Sequence, residues 1–263
     1  MKIGILITTF GRDNLLFQCL NSIQQYCNED FFTIIVDQGH FTKEKTKYIG
    51  QFFKNCKGEY IQTEFDIGAL KGRNIAIKRF NELSIPYILM FADSMRFLQS
   101  YNFKPIIEFL ESQLENFLVG FNKTNSVCTW ECDLKKTDRF ELDIPRRATI
   151  EFQGHSYIPV DICRNIFLCK TNMLAQSLYD ENRKMGDHEP SFYRFQQKGY
   201  KCYYYKDILF DYTKFRETEY NKFREKNFRE GRRIMKEQYH LKGWVSYSED
   251  LIKKWKQEKL DKS

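Results

Sequence analysis

Lys2-Ile3-Gly4-Ile5-Leu6-Ile7-Thr8-Thr9-Phe10-Gly11-Arg12 is an apolar run that ends in small and polar residues, the pattern of a buried strand followed by a loop. Working outward, Leu15, Leu16, Cys19, Leu20 and Ile23 recur at three- and four-residue spacing, which predicts a helix. Phe32-Thr33-Ile34-Ile35-Val36-Asp37-Gln38-Gly39 then predicts a second apolar strand closed by an acidic residue and a glycine. Strand, helix and strand in this order imply an α/β fold with a mostly parallel sheet, and in such sheets the carboxyl ends of the strands line the binding crevice. Neither a GxGxxG after the first strand nor a GxxxxGK[ST] occurs, so the dinucleotide and P-loop fingerprints are both missing.

The second informative stretch is Gly186-Asp187-His188-Glu189-Pro190-Ser191-Phe192-Tyr193-Arg194-Phe195, with two carboxylates and an imidazole in consecutive positions ahead of an amphipathic turn. Groups this close perturb one another's pKa, which is what acid/base chemistry requires. The plainer reading is an acidic helix start that complements the N-terminal dipole.

Four segments in order, over roughly the first 210 residues, resemble the inverting nucleotide-sugar glycosyltransferases of the GT-A fold, in the family 2 group and its relatives. They are Ile7-Thr8-Thr9-Phe10-Gly11-Arg12, Ile35-Val36-Asp37-Gln38-Gly39, Asp66-Ile67-Gly68-Ala69-Leu70-Lys71-Gly72-Arg73-Asn74 and Met185-Gly186-Asp187-His188-Glu189 with Phe192 and Arg194. The resemblance implies a Rossmann-like sheet flanked by helices and transfer from a nucleotide diphosphate sugar, a UDP-sugar, with inversion at the anomeric carbon. It assigns donor binding to Thr8, Phe10, Arg12, Asp37, Asp66, Gly68, Arg73 and Asn74, with Asp93 and Ser94 near the phosphates. Asp187 and Glu189 are the expected candidates for the base, and His188 an orienting or metal-contacting partner that could itself take the proton.

Relatives usually hold a divalent cation, Mn²⁺ or Mg²⁺, with an Asp-any-Asp motif after the fourth strand. Here the segment reads Phe91-Ala92-Asp93-Ser94-Met95; only Asp93 remains acidic, and with the Ser94 hydroxyl, diphosphate oxygens and water it could hold an ion weakly. At Asp211-Tyr212, where relatives often carry a histidine, this chain has none. A metal-free route would need cations against the diphosphate, from Arg73 or the basic tail.

With 263 residues and a 42% hydrophobic fraction, one α/β domain or two intimately joined halves can bury a sizeable core. The expected division is a donor-binding half at 1–100, an acceptor half carrying the acidic motif at 101–211, and a basic, aromatic, helical segment at 212–263. Ile106 to Leu114 predicts an amphipathic helix, Phe117 to Phe121 a strand, 122–150 a loop or hairpin region beside the acceptor site, and Val160 to Leu168 one strand. The eight cysteines form no CxxC pair and read as reduced residues of a cytoplasmic protein, and the opening apolar run is too short for a signal peptide.

From Lys201 to Ser263 the chain has 17 Lys and Arg against 11 Asp and Glu, so most of the net charge of +7 lies there. Tyr212, Lys214, Phe215, Arg216, Tyr220, Lys222, Phe223, Arg224, Phe228, Arg229, Arg232 and Arg233 interleave aromatic and basic side chains. The segment is either an amphipathic helix docked on the catalytic domain or a surface for a polyanion such as nucleic acid or the inner face of a membrane; Tyr212, Lys214 or Arg216 could also reach the diphosphate. The expected acceptor is a surface or lipid-linked glycan, with modified DNA as another. The other functional class is a catalytically degenerate protein that binds a nucleotide sugar or a polyanion without turnover.

Overall fold

The opening apolar run forms β1 (Ile3–Thr9), whose alternate side chains enter two separate cores: Ile3, Ile5 and Ile7 on one face of the sheet, Leu6 on the other. The chain is described here from a computed structural model covering residues 2–28, 30–124, 131–213 and 218–260. Helix α1 (Asp13–Tyr26) lays Leu16, Cys19, Leu20 and Ile23 on the face that Ile5 occupies, as its spacing predicts. β2 (Phe31–Asp37), α2 (Lys43–Asn55), β3 (Gly58–Gln62), α3 (Ala69–Glu82) and β4 (Tyr87–Met90) follow, and the four strands pair in parallel in the order β3-β2-β1-β4. Their carboxyl ends therefore emerge along one edge, at Thr8 to Phe10, Asp37 to Gln38 and Ala92 to Ser94.

The short β5 (Met95–Arg96) leads to α4 (Lys104–Glu111), which buries Ile106, Ile107, Phe109 and Leu110. Leu114, expected in this helix, lies beyond its end and is 92% exposed, because the chain has already turned towards β6 (Asn116–Lys123). A hairpin of β7 (Asp133–Lys136) and β8 (Phe140–Asp143) occupies the polar region, followed by β9 (Ile150–Phe152), β10 (His155–Val160), β11 (Phe167–Lys170) and α5 (Thr171–Ala175). The single strand expected over 160–168 is thus two. β10 pairs with β12 (Lys201–Tyr212), whereas β11 lies antiparallel between β4 and β6, so the chain must break and cross the sheet between them. The ten-stranded sheet runs β3-β2-β1-β4-β11-β6-β12-β10-β9 with β5 paired to the end of β12, and spans the boundary expected near residue 100.

Between β11 and β12 lies α6 (His188–Gln197), which carries the acidic motif at its start. The basic tail forms α7 (Thr218–Gln238), β13 (Val245–Tyr247) and α8 (Glu249–Leu260). β13 joins the β7–β8 hairpin in a three-stranded sheet, and Met235, Leu241 and Leu251 enter the main core. The amphipathic reading of this segment is therefore the one observed for its apolar face. Two of the basic residues of α7 are paired within the helix, Arg229 to Glu225 at 2.5 Å and Arg233 to Glu230 and Glu237 at 2.7 and 2.6 Å. Among the described residues no helix is long and apolar enough to cross a membrane.

Candidate active site

Two loops that are distant in sequence are stitched together at the carboxyl edge of the parallel strands. Asp66 enters its loop with φ +54°, donates its N–H to the Gln38 carbonyl at 2.9 Å and pairs through its carboxylate with Lys184. Gly68 donates to the Gln38 side-chain oxygen at 2.8 Å, and Ala69 donates to the Lys184 carbonyl at 3.1 Å. Gly68 has φ +91° and ψ 146°, and a Cβ there would stand 2.8 Å from the Lys184 Cα. Only glycine fits both the backbone conformation and the approach. Gly68→Ala should destabilise the protein by about 1–3 kcal/mol from backbone strain alone, read as a lower midpoint in urea unfolding.

This seam brings α3 against the start of α6. Arg73, one turn into α3, donates through Nη1 to the Asp187 carboxylate at 2.6 Å and stacks over Tyr179 at 5.2 Å. The neighbouring Asn74 faces the other way. Its amide donates to the Tyr179 carbonyl at 2.8 Å and to Glu181 at 2.9 Å, while its oxygen accepts from the Tyr179 N–H at 2.8 Å. Asn74 is thus a buried brace for the 179–181 loop and does not line the cleft. Arg183, fully buried, donates to the Gly186 carbonyl at 3.0 Å and ties down the turn that presents Asp187.

The result is a cleft of about 400 Å³. Thr8, Arg12 and Ser94 reach it from the strand exits, Arg73 from α3, and Asp187, His188 and Glu189 from the start of α6. These members of the expected site do converge. Burial pushes the Glu189 carboxyl up to about 7, helped by the negative Asp187 and opposed by Arg232. The His188 imidazole is pushed down to about 4, first by burial, and is further lowered by Arg73, Arg164 and Lys123; it is neutral at pH 7. Asp187 is engaged by Arg73, whereas Glu189 combines access to the cleft with a basicity suited to neutral pH.

Two other expected residues are withdrawn. Asp37 is fully buried: its carboxylate accepts from the Gly39 N–H at 2.8 Å and the Tyr60 hydroxyl at 2.9 Å and pairs with Lys45 Nζ at 2.8 Å. It shapes the loop at the end of β2 from beneath, and in this arrangement presents no oxygen to the cleft. Asp93 is also fully buried. Both its oxygens are engaged by the Arg12 guanidinium, and one accepts from the Thr9 hydroxyl at 2.9 Å; burial raises its pKa against the pull of Arg12.

In this arrangement the carboxylate of Asp93, the expected metal ligand, is paired with the Arg12 guanidinium. Among the described residues no cluster of three or more His, Cys, Asp or Glu side chains could hold a metal ion. At the other diphosphate-side position Asp211 pairs with Arg96 and accepts from the Thr124 hydroxyl at 2.5 Å, while Tyr212 lines the cleft.

Beside the cleft is a small cavity of about 60 Å³ bordered by Phe10, Gln38, Asp66, Gly68, Phe223 and Asn227. Phe10 stacks on Phe223 of α7 with ring centroids 5.0 Å apart and meets Phe65 at 5.2 Å. Helix α7 therefore roofs the site: Phe223 covers the loop after β1, and Arg224 and Phe228 enter the main cleft. Lys214 and Arg216, expected as diphosphate contacts, lie outside the described residues. Lys123 and Arg164, which also line the cleft, were not singled out by sequence reasoning. The one available signal was Arg164, a basic residue within the strand-like Val160 to Leu168 run.

No protein-family model matches the chain. Over 103 residues, 38% of the chain, it is 32% identical to a teichoic acid poly(glycerol phosphate) polymerase of Staphylococcus epidermidis, of which this covers 14%. The structure of S. aureus TarS residues 1–349 superposes with a TM-score of 0.57 at 14% identity, covering 89% of this chain and 64% of that one. A Pyrobaculum calidifontis mannosyltransferase, solved with GDP-mannose and Mn²⁺, superposes with a TM-score of 0.60 at 10% identity, covering 85% of this chain and 59% of that one. The fold is GT-A, as the resemblance implied, with the mixed sheet and flanking helices of those structures. The chain thus spans a small part of the polymerase and about three fifths of the matched structures.

Proposed function

We propose that the protein is a glycosyltransferase that moves a sugar from a nucleotide diphosphate donor to an acceptor hydroxyl with inversion. The observation that carries this reading is the single cleft in which Arg73, Arg12 and Ser94 face the acidic start of α6. An in-line displacement needs a held donor, a neutralised leaving group and a base on the opposite side of the anomeric carbon. In the proposed step the acceptor oxygen forms the new bond to that carbon while its bond to the diphosphate breaks. Glu189 takes the hydroxyl proton and the nucleoside diphosphate leaves against the cationic wall. Asp187 is the positioning partner of Arg73, and neutral His188 packs edge-on against Phe192 at 5.2 Å.

A UDP-sugar is the proposed donor: TarS has been solved with UDP-GlcNAc, in a structure that superposes at a TM-score of 0.58 and 14% identity. The partial likeness to a polymerase of poly(glycerol phosphate) favours a surface or lipid-linked glycan as acceptor. The experiment is release of nucleoside diphosphate from a panel of UDP- and GDP-sugars, with Mn²⁺ or with EDTA. Turnover that survives EDTA is the expected result, because Asp93 is paired with Arg12. Binding with no turnover of any donor under either condition would instead identify a degenerate binding protein.

A further inference from the structure

One wall of the cleft gathers three cations, Lys123, Arg164 and Arg224. Lys123, the last residue of β6, is part-buried with Nζ 3.8 Å from the centre of the Tyr212 ring. Tyr212 ends β12 opposite Met95, and the next residue, Thr213, donates its N–H to the Ser94 carbonyl at 3.0 Å, so Lys123 stands beside the segment expected near the phosphates. The charges nearest to it are alike: Arg164, which is 7% exposed, and Arg224 from α7. Arg164 is partly offset by Glu131 at 3.7 Å. Among the described residues neither Lys123 nor Arg224 has a carboxylate within ion-pair distance.

A lysine drawn out of water next to two guanidiniums is unfavourable unless an anion completes the site. Consistently, burial and then the two arginines push the Lys123 amine down to about 8. Phosphate oxygens suit such a group, since lysine offers a point charge and arginine a planar pair of donors.

We infer that Lys123, Arg164 and Arg224 form a cationic cradle for the donor's diphosphate, doing for the leaving group what a bound metal ion does elsewhere. This rests on the glycosyltransferase reading for the identity of its ligand. The cradle draws one cation from the end of β6, one from the loop before β11 and one from α7, so it exists only when the tail is docked. Of its members, Lys123 is the most diagnostic: removing an unpaired, part-buried charge should not destabilise the fold, whereas it should weaken an anion.

The test is calorimetric titration in EDTA of the full chain with inorganic pyrophosphate, UDP and uridine, using the wild type, Lys123→Met, Lys123→Arg and Arg224→Met. Pyrophosphate and UDP should bind the wild type, and the two methionine variants should each lose about tenfold or more in affinity, the scale of one charge-assisted hydrogen bond. Uridine binding should be unchanged, Lys123→Arg should retain most of the affinity, and Lys123→Met should melt at or above the wild-type temperature. Wild-type affinity in both methionine variants overturns the cradle while leaving the donor reading intact. So does binding of UDP that appears only when Mn²⁺ is added. Pyrophosphate binding that depends on Lys123, with no gain in affinity from the nucleoside of UDP or GDP, supports the cradle and removes the donor reading. No binding of either phosphate compound to the wild type overturns both.

Discussion

Glu189→Gln should lower kcat for sugar transfer by about 10²–10⁴-fold, the range that a positioned general base supplies, with little change in donor KM. The wild-type kcat should rise with pH along a limb centred near 7, because burial holds the Glu189 carboxyl at about that value and only the carboxylate accepts a proton. In Glu189→Gln the limb should vanish. Stability moves the opposite way. The folded-state value lies above the 4.5 of an ordinary glutamate, so this group's favourable contribution to folding is complete below about pH 4.5 and is lost as pH rises through 7. The fold thus retains at working pH a carboxylate it would hold more stably as the acid, as a site committed to proton transfer would. Asp187→Asn should leave the limb in place and act through Arg73, which then loses its 2.6 Å partner. A pH–rate profile that keeps its limb in Glu189→Gln and loses it in Asp187→Asn would reassign the base to Asp187.

Gly231→Ala should destabilise the protein and lower its activity together. Within an exposed helix this change stabilises, by roughly 0.5–1 kcal/mol, since alanine gives up less backbone freedom than glycine. Here a Cβ at residue 231 would lie 2.1 Å from the Met185 carbonyl oxygen, on the turn that presents Asp187. Overlap with backbone cannot be relieved by rotating a side chain, so α7 or the turn must move, at a cost of about 1–3 kcal/mol that outweighs the helix propensity. The shift also carries Arg224 and Phe228 away from the cleft, which is why turnover should fall with stability. Thermal melting and initial rates on the same preparations provide the check. A higher melting temperature with unchanged rates would mean that α7 does not rest on the catalytic turn.

Much of the scaffold was legible along the chain because burial on both faces of a parallel sheet requires continuous apolar strands, and a helix packed on one side requires three- and four-residue spacing. The Ile3 to Ile7 run, the Leu15 to Ile23 helix and the Ile34 to Val36 strand are local patterns with one comfortable solution. The path from β10 to β11 was not, since the apolar residues of Val160 to Leu168 read as one strand and nothing local says that its two ends pair with different strands.

The site divides in the same way. Residue types and order along the sequence determined which groups are available: an acidic triplet, an arginine on α3, a lone carboxylate at residue 93 and a basic tail. Tertiary structure alone decided their partners. Asp93 faces Arg12, Asp37 faces Lys45, Asn74 turns into a loop, and Lys123 meets Arg164 and Arg224 across three separate elements. Charge interactions depend on distance and burial, which sequence spacing sets only within one turn of helix or across one hairpin. Asp93 is already paired because the chain brings Arg12 to it from 81 residues away.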